Sequence, residues 1–469
     1  MTRRVRILLV SAYELGHQPL HVASPAGALR RRGHDVRVVD LAVDDWDPAV
    51  VDDVDAVAVS VPMHTATRLA LEVAASVAGR VPTCAYGLYA PAAADGFDRA
   101  IAGEYEPALL DWIDERGSGL TVHLQRGSFG LPARDLLPPL DRYAKLAIGG
   151  EERLVGAVEA SHGCSSRCRH CPVPAVYDGR LRIVGEEAVL ADVDQLVALG
   201  AEHLTFADPD FLNGAAHSMR VARAVHERHP QLTFDVTTKI ELILRHRDLW
   251  TELAEMGCLF VTTALECVDD EVLALLDKGH TAADAAEAVG VLRAAGIEPR
   301  PSLLPFTPWT SLGSLVDLVD FVVDHDLAAN TEPVHWTIRL LVPPGSLLLG
   351  HGDFGAYDPD QLAHPWASPL DGLQARLASL VEAATDRPAV EVFRAVAAEI
   401  RSAAGLDPDV GALDEGAGRP RLTEAWFCCA EPIGLASQAA LGSACSLALP
   451  TAGRPSGQAM PLASPALRT

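Results

Sequence analysis

The chain holds no stretch near the roughly 20 apolar residues that a membrane-spanning helix needs. Yet 49% of its 469 residues are hydrophobic, so a sizeable buried core and a soluble globular protein of two or three domains are expected. Positive charge is scarce. Against 63 Asp and Glu stand 38 Lys and Arg, a formal net charge of -25, which makes nucleic-acid backbones and anionic membranes poor partners. The opening MTRRVRILLVSAYELGH is basic, but its apolar run stops at Glu14, too short for a secretory signal. A cytoplasmic location is therefore expected. There the nine cysteines stay mostly reduced, and clustered cysteines point to metal or catalysis more than to disulfides.

Short apolar runs recur from residue 5: VRILLVSAY, DVRVVDL, DAVAVSVPM and PTCAYGLYA, with helical stretches such as TRLALEVAASVAG between them. This alternation predicts an α/β, doubly wound, Rossmann-like parallel sheet over 1–135. The proline-rich GLPARDLLPPLDRYAKL predicts an ordered linker, 136–152. A second series follows: LVGAVEAS, HLTFADPDF, LTFDVTTKI, CLFVTTALEC, EPRPSLLPF and VHWTIRLLV. Strand-helix repetition here predicts a partial (β/α)6 barrel over 153–350, whose chemistry would sit at the C-terminal ends of its strands. Beyond it are expected a helical extension, 351–432, and a disordered tail, 433–469, in which no acidic or aromatic residue occurs.

Directly after the first strand of the second series comes HGCSSRCRHCPVP, with Cys164, Cys168 and Cys171 spaced C-x3-C-x2-C. Three thiolates this close converge on one iron-sulfur cube only from a loop, because a helix or strand would splay at least one away. Three protein ligands leave one iron open, where an amine and a carboxylate can chelate. The competing readings are a zinc site completed by His162 or His170, and three unrelated cysteines; zinc loops more often use pairs of C-x2-C.

The triad resembles the signature of radical SAM enzymes, and the layout from Leu154 to Val342 resembles their partial barrel. ECVDDEVLALLDKGHT, the linker and AGEYEPALL are similar to segments of radical SAM proteins that carry an N-terminal cobalamin-type domain. The resemblance implies a four-iron four-sulfur cluster on Cys164, Cys168 and Cys171. It also implies reductive cleavage of S-adenosylmethionine to methionine and a 5′-deoxyadenosyl radical, which takes hydrogen from a small-molecule substrate. Cofactor-binding roles follow by similarity for His170, against the adenine, and for Glu266, toward the ribose or amine. Asp208, Asp210, Lys239 and Arg339, all at strand ends, become candidates to contact S-adenosylmethionine or substrate, against the plainer reading of ion-paired packing residues. An electron donor such as flavodoxin or ferredoxin is a further implication. At the fifth strand PFTPWTS stands where a glycine-rich turn with an acidic residue is usual, so substrate recognition there is expected to differ.

Cobalamin is left open by the residues. No D-x-H-x-x-G motif follows the first strand; His17 and His21 lie in the right loop, but a lone loop histidine is more often solvated than a ligand. The cobalamin-associated radical SAM enzymes also commonly lack that motif. A ligand on this sheet would sit near Ser11 to His17, Pro62 to Thr65 and Gly87 to Tyr89. With cobalamin, methyl transfer or a related alkylation is expected; without it, a rearrangement or oxidation. The reading from another class is a non-catalytic cluster or cobalamin sensor, for which six polar strand-end positions are more than needed. Finally, WFCCAEP resembles the tail of a radical SAM family named for its CUAEP or CCAEP motif, with selenocysteine or cysteine at the position of Cys429. This implies catalytic roles for Cys428 and Cys429. Cys84, Cys258 and Cys267 read as core residues.

Overall fold

The computed structural model describes residues 4–127, 129–384, 387–424 and 430–431. Six strands form the first sheet: β1 (Arg6–Ser11), β2 (Asp35–Asp40), β3 (Ala56–Ser60), β4 (Thr83–Tyr86), β5 (Arg99–Gly103) and β6 (Gly119–His123). All pair in parallel, in the order β2-β1-β3-β4-β5-β6. Every residue of β3 is buried, as a strand covered by helices on both faces requires. Helices Leu20–Arg31 and Tyr105–Glu115 cover one face around Leu29 and Trp112, and His64–Ser76 covers the other around Leu69 and Val73. The first four strands are those the apolar runs announce. β5 and β6 are additional: β6 is an edge strand whose Leu120 and Val122 stay about half exposed, so its sequence carries no apolar run.

The second sheet begins with a hairpin, β7 (Lys145–Ile148) and β8 (Glu151–Val158), and continues through β11 (His203–Phe206), β12 (Thr233–Thr238), β13 (Cys258–Glu266) and β14 (Glu298–Leu303). Between β8 and β11 lies a short antiparallel pair, β9 (Ser161–Gly163) and β10 (Leu181–Ile183). The last described strands are β15 (Arg339–Leu340), β16 (Arg421–Leu422) and β17 (Ala430–Glu431). Strand order is β14-β13-β12-β11-β8-β7-β16, curled as a half-barrel with five consecutive parallel strands. The sixth unit of the expected barrel is reduced. VHWTIRLLV coils through Pro333–Thr337 before the two residues of β15, which bridge to Phe306. Coiling turns Trp336 outward against Phe393, their rings 5.4 Å apart, in the layer of helices Asp371–Glu382 and Ala389–Ala403. TAADAAEAVGVLRAAG forms helix Ala282–Ala294, opened by a Thr281–Asp284 capping box and followed by Gly296 at φ +79°. Cys84, Cys258 and Cys267 are core residues. Among the described residues no helix is long and apolar enough to cross a membrane.

What fixes one sheet against the other is Arg134, 1% exposed. Its guanidinium donates to both carboxylate oxygens of Asp192 (3.0 and 2.8 Å), to the Ala157 carbonyl (2.6 Å) and to the Gln18 carbonyl (3.3 Å). One side chain thus joins the loop after β1, strand β8 and helix Glu186–Ala198. The carboxyl ends of both sheets share an apolar cluster in which Val61 and Tyr89 meet Leu273, Leu304 and Leu341. Across the half-barrel, Tyr13 donates to Glu424 at 2.6 Å. Replacing Arg134 by Met strands a buried carboxylate, and urea unfolding should show a loss of about 3–5 kcal/mol. A loss below about 1 kcal/mol would mean that Asp192 finds water or another donor.

Candidate active site

The three cysteines lie in the loop that β9 and β10 hold at its base. Gly163 precedes Cys164 at φ +70°, and a Cβ there would meet the Arg180 carbonyl at 2.2 Å, so only glycine lets the loop leave the hairpin this way. Cys164 and Cys168 are buried and Cys171 is half-buried. Burial, with Asp210 next, pushes the Cys164 thiol up to about 11, against a hydrogen bond from Asn213 Nδ2 to its Sγ at 3.0 Å. Burial also raises the Cys168 thiol, and Lys278 and Lys239 oppose it. Such thiols hold their protons until a metal centre replaces them. Among the described residues no three His, Cys, Asp or Glu side chains are grouped as ligands of a single ion are. The all-thiol donor set of Cys164, Cys168 and Cys171 fits an iron-sulfur cube.

Against this loop stands the end of β13. Glu266 adopts φ +65°, rare for a side-chain-bearing residue, at a register shift between β13 and β14. The irregular backbone turns its carboxylate inward, where it accepts from Lys278 Nζ at 2.9 Å and meets His170 Nε2 at 3.2 Å. Burial alone would raise this carboxyl, but Lys278 and His170 outweigh it and hold it well below the usual range. Lys278 is raised in turn: burial lowers it, while Glu266 and Cys168 more than compensate. His280 follows closely, buried, with neither ring nitrogen in a well-formed hydrogen bond; burial and then Lys278 push it down to about 4, so it is neutral at pH 7.

Of the residues singled out from sequence, the fold brings Cys164, Cys168, Cys171, His170, Glu266, Lys239, Asp208 and Asp210 to the carboxyl mouth of the barrel. The two aspartates bracket the loop. Asp208 accepts from Ala160 N (2.9 Å) and Ser161 Oγ (2.5 Å), and Asp210 from Thr238 Oγ1 (2.7 Å) and Lys239 N (3.2 Å). Lys239 Nζ reaches Glu241 at 3.2 Å. Arg339 turns away: its guanidinium lies 3.7 Å from the Trp366 ring centroid and donates to Asp371 at 2.8 Å. Cys428 and Cys429 lie outside the described residues, as does the predicted tail. Lys278 and His280 went unassigned from sequence, although both stand in the DKGH that precedes the capping threonine. Only the inward turn of Glu266 reveals what they face.

The N-terminal sheet meets the cysteine loop directly. Tyr177, on the helix that follows Cys171, donates to Glu104 at 3.0 Å, and His162 sits between Glu104 (3.3 Å) and Glu159 (3.0 Å). Leu88 and Leu124 pack against Cys164, Val173 and Tyr177. The two histidines of the loop after β1 are committed to the barrel side. His21 lies between Glu14 (3.1 Å) and Glu159 (3.6 Å), which outweigh its burial and raise it to about 9. His17 is buried and lowered by that burial, facing Asp235 and His203.

Residues 158–322 match the family model of the Radical SAM superfamily, so the chain carries a radical SAM domain. The cofactors of such a domain are a four-iron four-sulfur cluster and S-adenosylmethionine. Hopanoid C-3 methylase of Methylococcus capsulatus is 23% identical over 333 aligned residues, covering 62% of each chain, so the match spans about three fifths of that relative's length. Among solved structures, the cobalamin-dependent S-adenosylmethionine radical enzyme OxsB, with aqua-cobalamin and S-adenosylmethionine bound, aligns with a TM-score of 0.67 at 13% identity, covering 87% of this chain and 73% of that one. The radical S-adenosylmethionine methyltransferase TsrM of Kitasatospora setae, with cobalamin and its cluster bound, aligns at 0.57 and 19%, covering 70% and 74%. These likenesses fix the fold: a parallel sheet followed by a half-barrel.

The raised carboxyl of Asp208 gives a pH signature to the protein without metal. Its folded value is about 7 against an ordinary 3.8, caused by burial, so the folded state keeps a proton that the unfolded chain has lost. Stability should fall as pH rises between those values, by up to about 1.4 kcal/mol per unit. Asp208→Asn should flatten that slope; an unchanged slope in thermal melts from pH 4 to 7 would mean that the carboxylate ionises freely in the fold.

Proposed function

We propose that this chain is a radical SAM enzyme acting on a small molecule. The observation that carries the reading is the meeting of three cysteines in one loop, two of them buried, with the inward Glu266–Lys278–His170 group, inside the matched domain. Cys164, Cys168 and Cys171 would hold the cluster. When bound, the cluster and S-adenosylmethionine supply one-electron cleavage of a sulfonium, with the electron coming from a donor such as flavodoxin or ferredoxin. The chain's own residues do the rest. Glu266, kept ionised by Lys278, offers a carboxylate to a cationic amine or ribose hydroxyls. His170 stands beside it against the adenine, and the apolar cluster between the two sheets keeps water from the mouth. Asp208, Asp210 and Lys239 are positioned to shape the loop or reach substrate, and the same candidacy is weakest for Arg339, which is paired elsewhere.

The hopanoid methylase and the two cobalamin-bound structures support cobalamin-dependent methyl transfer as the outcome, with a rearrangement or oxidation if no corrinoid binds. Residues at the carboxyl edge of the first sheet fit such a ligand. Thr65, on the first turn of helix His64–Ser76, has a buried hydroxyl with no hydrogen-bond partner. Because His17 and His21 are committed to the barrel side, neither would serve as a protein ligand to a corrinoid bound on the first sheet. Replacing Cys164, Cys168 and Cys171 together by Ala should remove about four irons per chain and all 5′-deoxyadenosine release under reductant. Iron content equal to wild type would sink the cluster assignment.

Cys428 and Cys429 are proposed to act in turnover. Support comes from their neighbours in the chain: Glu424 on one side contacts Tyr13, and Ala430–Glu431 on the other pairs with Arg339–Leu340 of the barrel. Adjacent thiols close only a strained disulfide, easily reduced. Cys429→Ser should leave iron content and uncoupled S-adenosylmethionine cleavage intact while product formation fails; product at the wild-type rate would reduce the pair to packing.

A further inference from the structure

We infer that an acidic one-electron carrier protein docks on the outer face of the cysteine loop, drawn by Arg167 and Arg180 with Ile183 as its apolar contact; the inference rests on the enzyme reading above. Residues 161–183 carry four arginines and one acidic residue, in a chain whose formal net charge is -25. This positive charge runs against the rest of the sequence, and it falls on the segment that holds the three cysteines. The loop has two sides. Inward, His170 is buried and faces Glu266. Outward, Ser165, Arg167 and Arg180 are exposed and Cys171 is half-buried. Arg167 and Arg169 flank Cys168 in the chain, and the Arg180 carbonyl sits against Gly163, the residue before Cys164. A Cβ on Gly179 would stand 4.0 Å from Arg167 Nε, so the two exposed arginines rise from adjacent backbone.

Part of this charge is spent inside the protein. Arg169 donates to the carbonyls of Ala274 and Leu275, and Arg182 to that of Leu124. The rest is available. Arg167 pairs with Asp178, but both side chains are more than half exposed, so water and salt screen that pair. Arg180 pairs with no carboxylate among the described residues. Next to them the exposed Ile183 lies against Gly214, beside Asn213, whose Nδ2 donates to Cys164 Sγ. An apolar contact with charge at its rim is the make-up of a small, short-lived protein interface. The acidic remainder of the surface repels an acidic carrier, and the arginines steer it to the loop itself. Segment 433–469 has no acidic side chain and so cannot answer them. In the step this docking serves, a flavin hydroquinone anion gives up one electron and becomes the neutral semiquinone. The cluster takes up that electron, and no proton moves.

The test uses the anaerobically reconstituted full chain and a labelled acidic flavodoxin, with binding followed by fluorescence anisotropy. Arg167→Glu with Arg180→Glu should weaken binding at low salt by at least about 10-fold. The difference should close at about 1 M salt, where screening acts beyond about 3 Å. Arg180→Gln should shift affinity in the same direction by less, and Arg167→Lys with Arg180→Lys should keep most of it. Arg376→Glu with Arg387→Glu, the same change of net charge beside the C-terminal helices, should leave binding as it is. The reversal variant should also be reduced more slowly by flavodoxin hydroquinone, yet at the wild-type rate by photoreduced 5-deazariboflavin, a small uncharged donor. No binding by the wild type, equal affinity in the reversal variant, an equal loss in the Arg376→Glu and Arg387→Glu control, or tighter binding of an oligonucleotide than of flavodoxin overturns the inference. Failure of the enzyme reading would show separately, as absent iron and no reduction by the deazaflavin.

Discussion

A guanidinium withdrawn from water demands that every donor find an acceptor, and at Arg134 those acceptors come from three parts of the chain. The demand sets where the linker crosses and how the first sheet meets the barrel. With that geometry fixed, Glu104 reaches Tyr177 and His162, so loops of the N-terminal sheet become walls of the cysteine site.

Electrostatics at the mouth work by opposition. Burial resists every charged form there, yet Lys278 remains cationic and Glu266 anionic because each answers the other. The thiols have no such full answer: two lysines press against Cys168, but desolvation prevails and the proton stays. A site of this kind is prepared for a centre that binds thiolates strongly. Asp208 and Asp210, by contrast, spend their oxygens on backbone and hydroxyl donors at the base of the loop, which suits holding it in shape.

How much of this was legible in the sequence depended on whether the signal was local. Strands such as AVAVS and the cysteine spacing announce themselves, because continuous burial and thiol ligation each leave a pattern within ten residues. The edge strand β6 leaves none, being half exposed. The sixth barrel strand read as extended but coils, since Trp336 belongs to a helical layer set by residues beyond 370. Lys278 was invisible for a related reason. A lysine beside a turn reads as solvated until a backbone irregularity twelve residues earlier aims a carboxylate at it. Arg339 sits where a strand-end ligand would, but its partners Trp366 and Asp371 come from a segment whose placement no spacing rule gives.

Tyr13 and Glu424 are separated by 411 positions along the chain, and their contact closes over the lumen between the first strand's loop and the last stretch of the barrel. During synthesis the cysteine loop and all the strands around it emerge before Glu424 does. The nascent protein therefore passes through an interval in which its cysteine loop is complete while the lumen still lacks the wall that Glu424 adds.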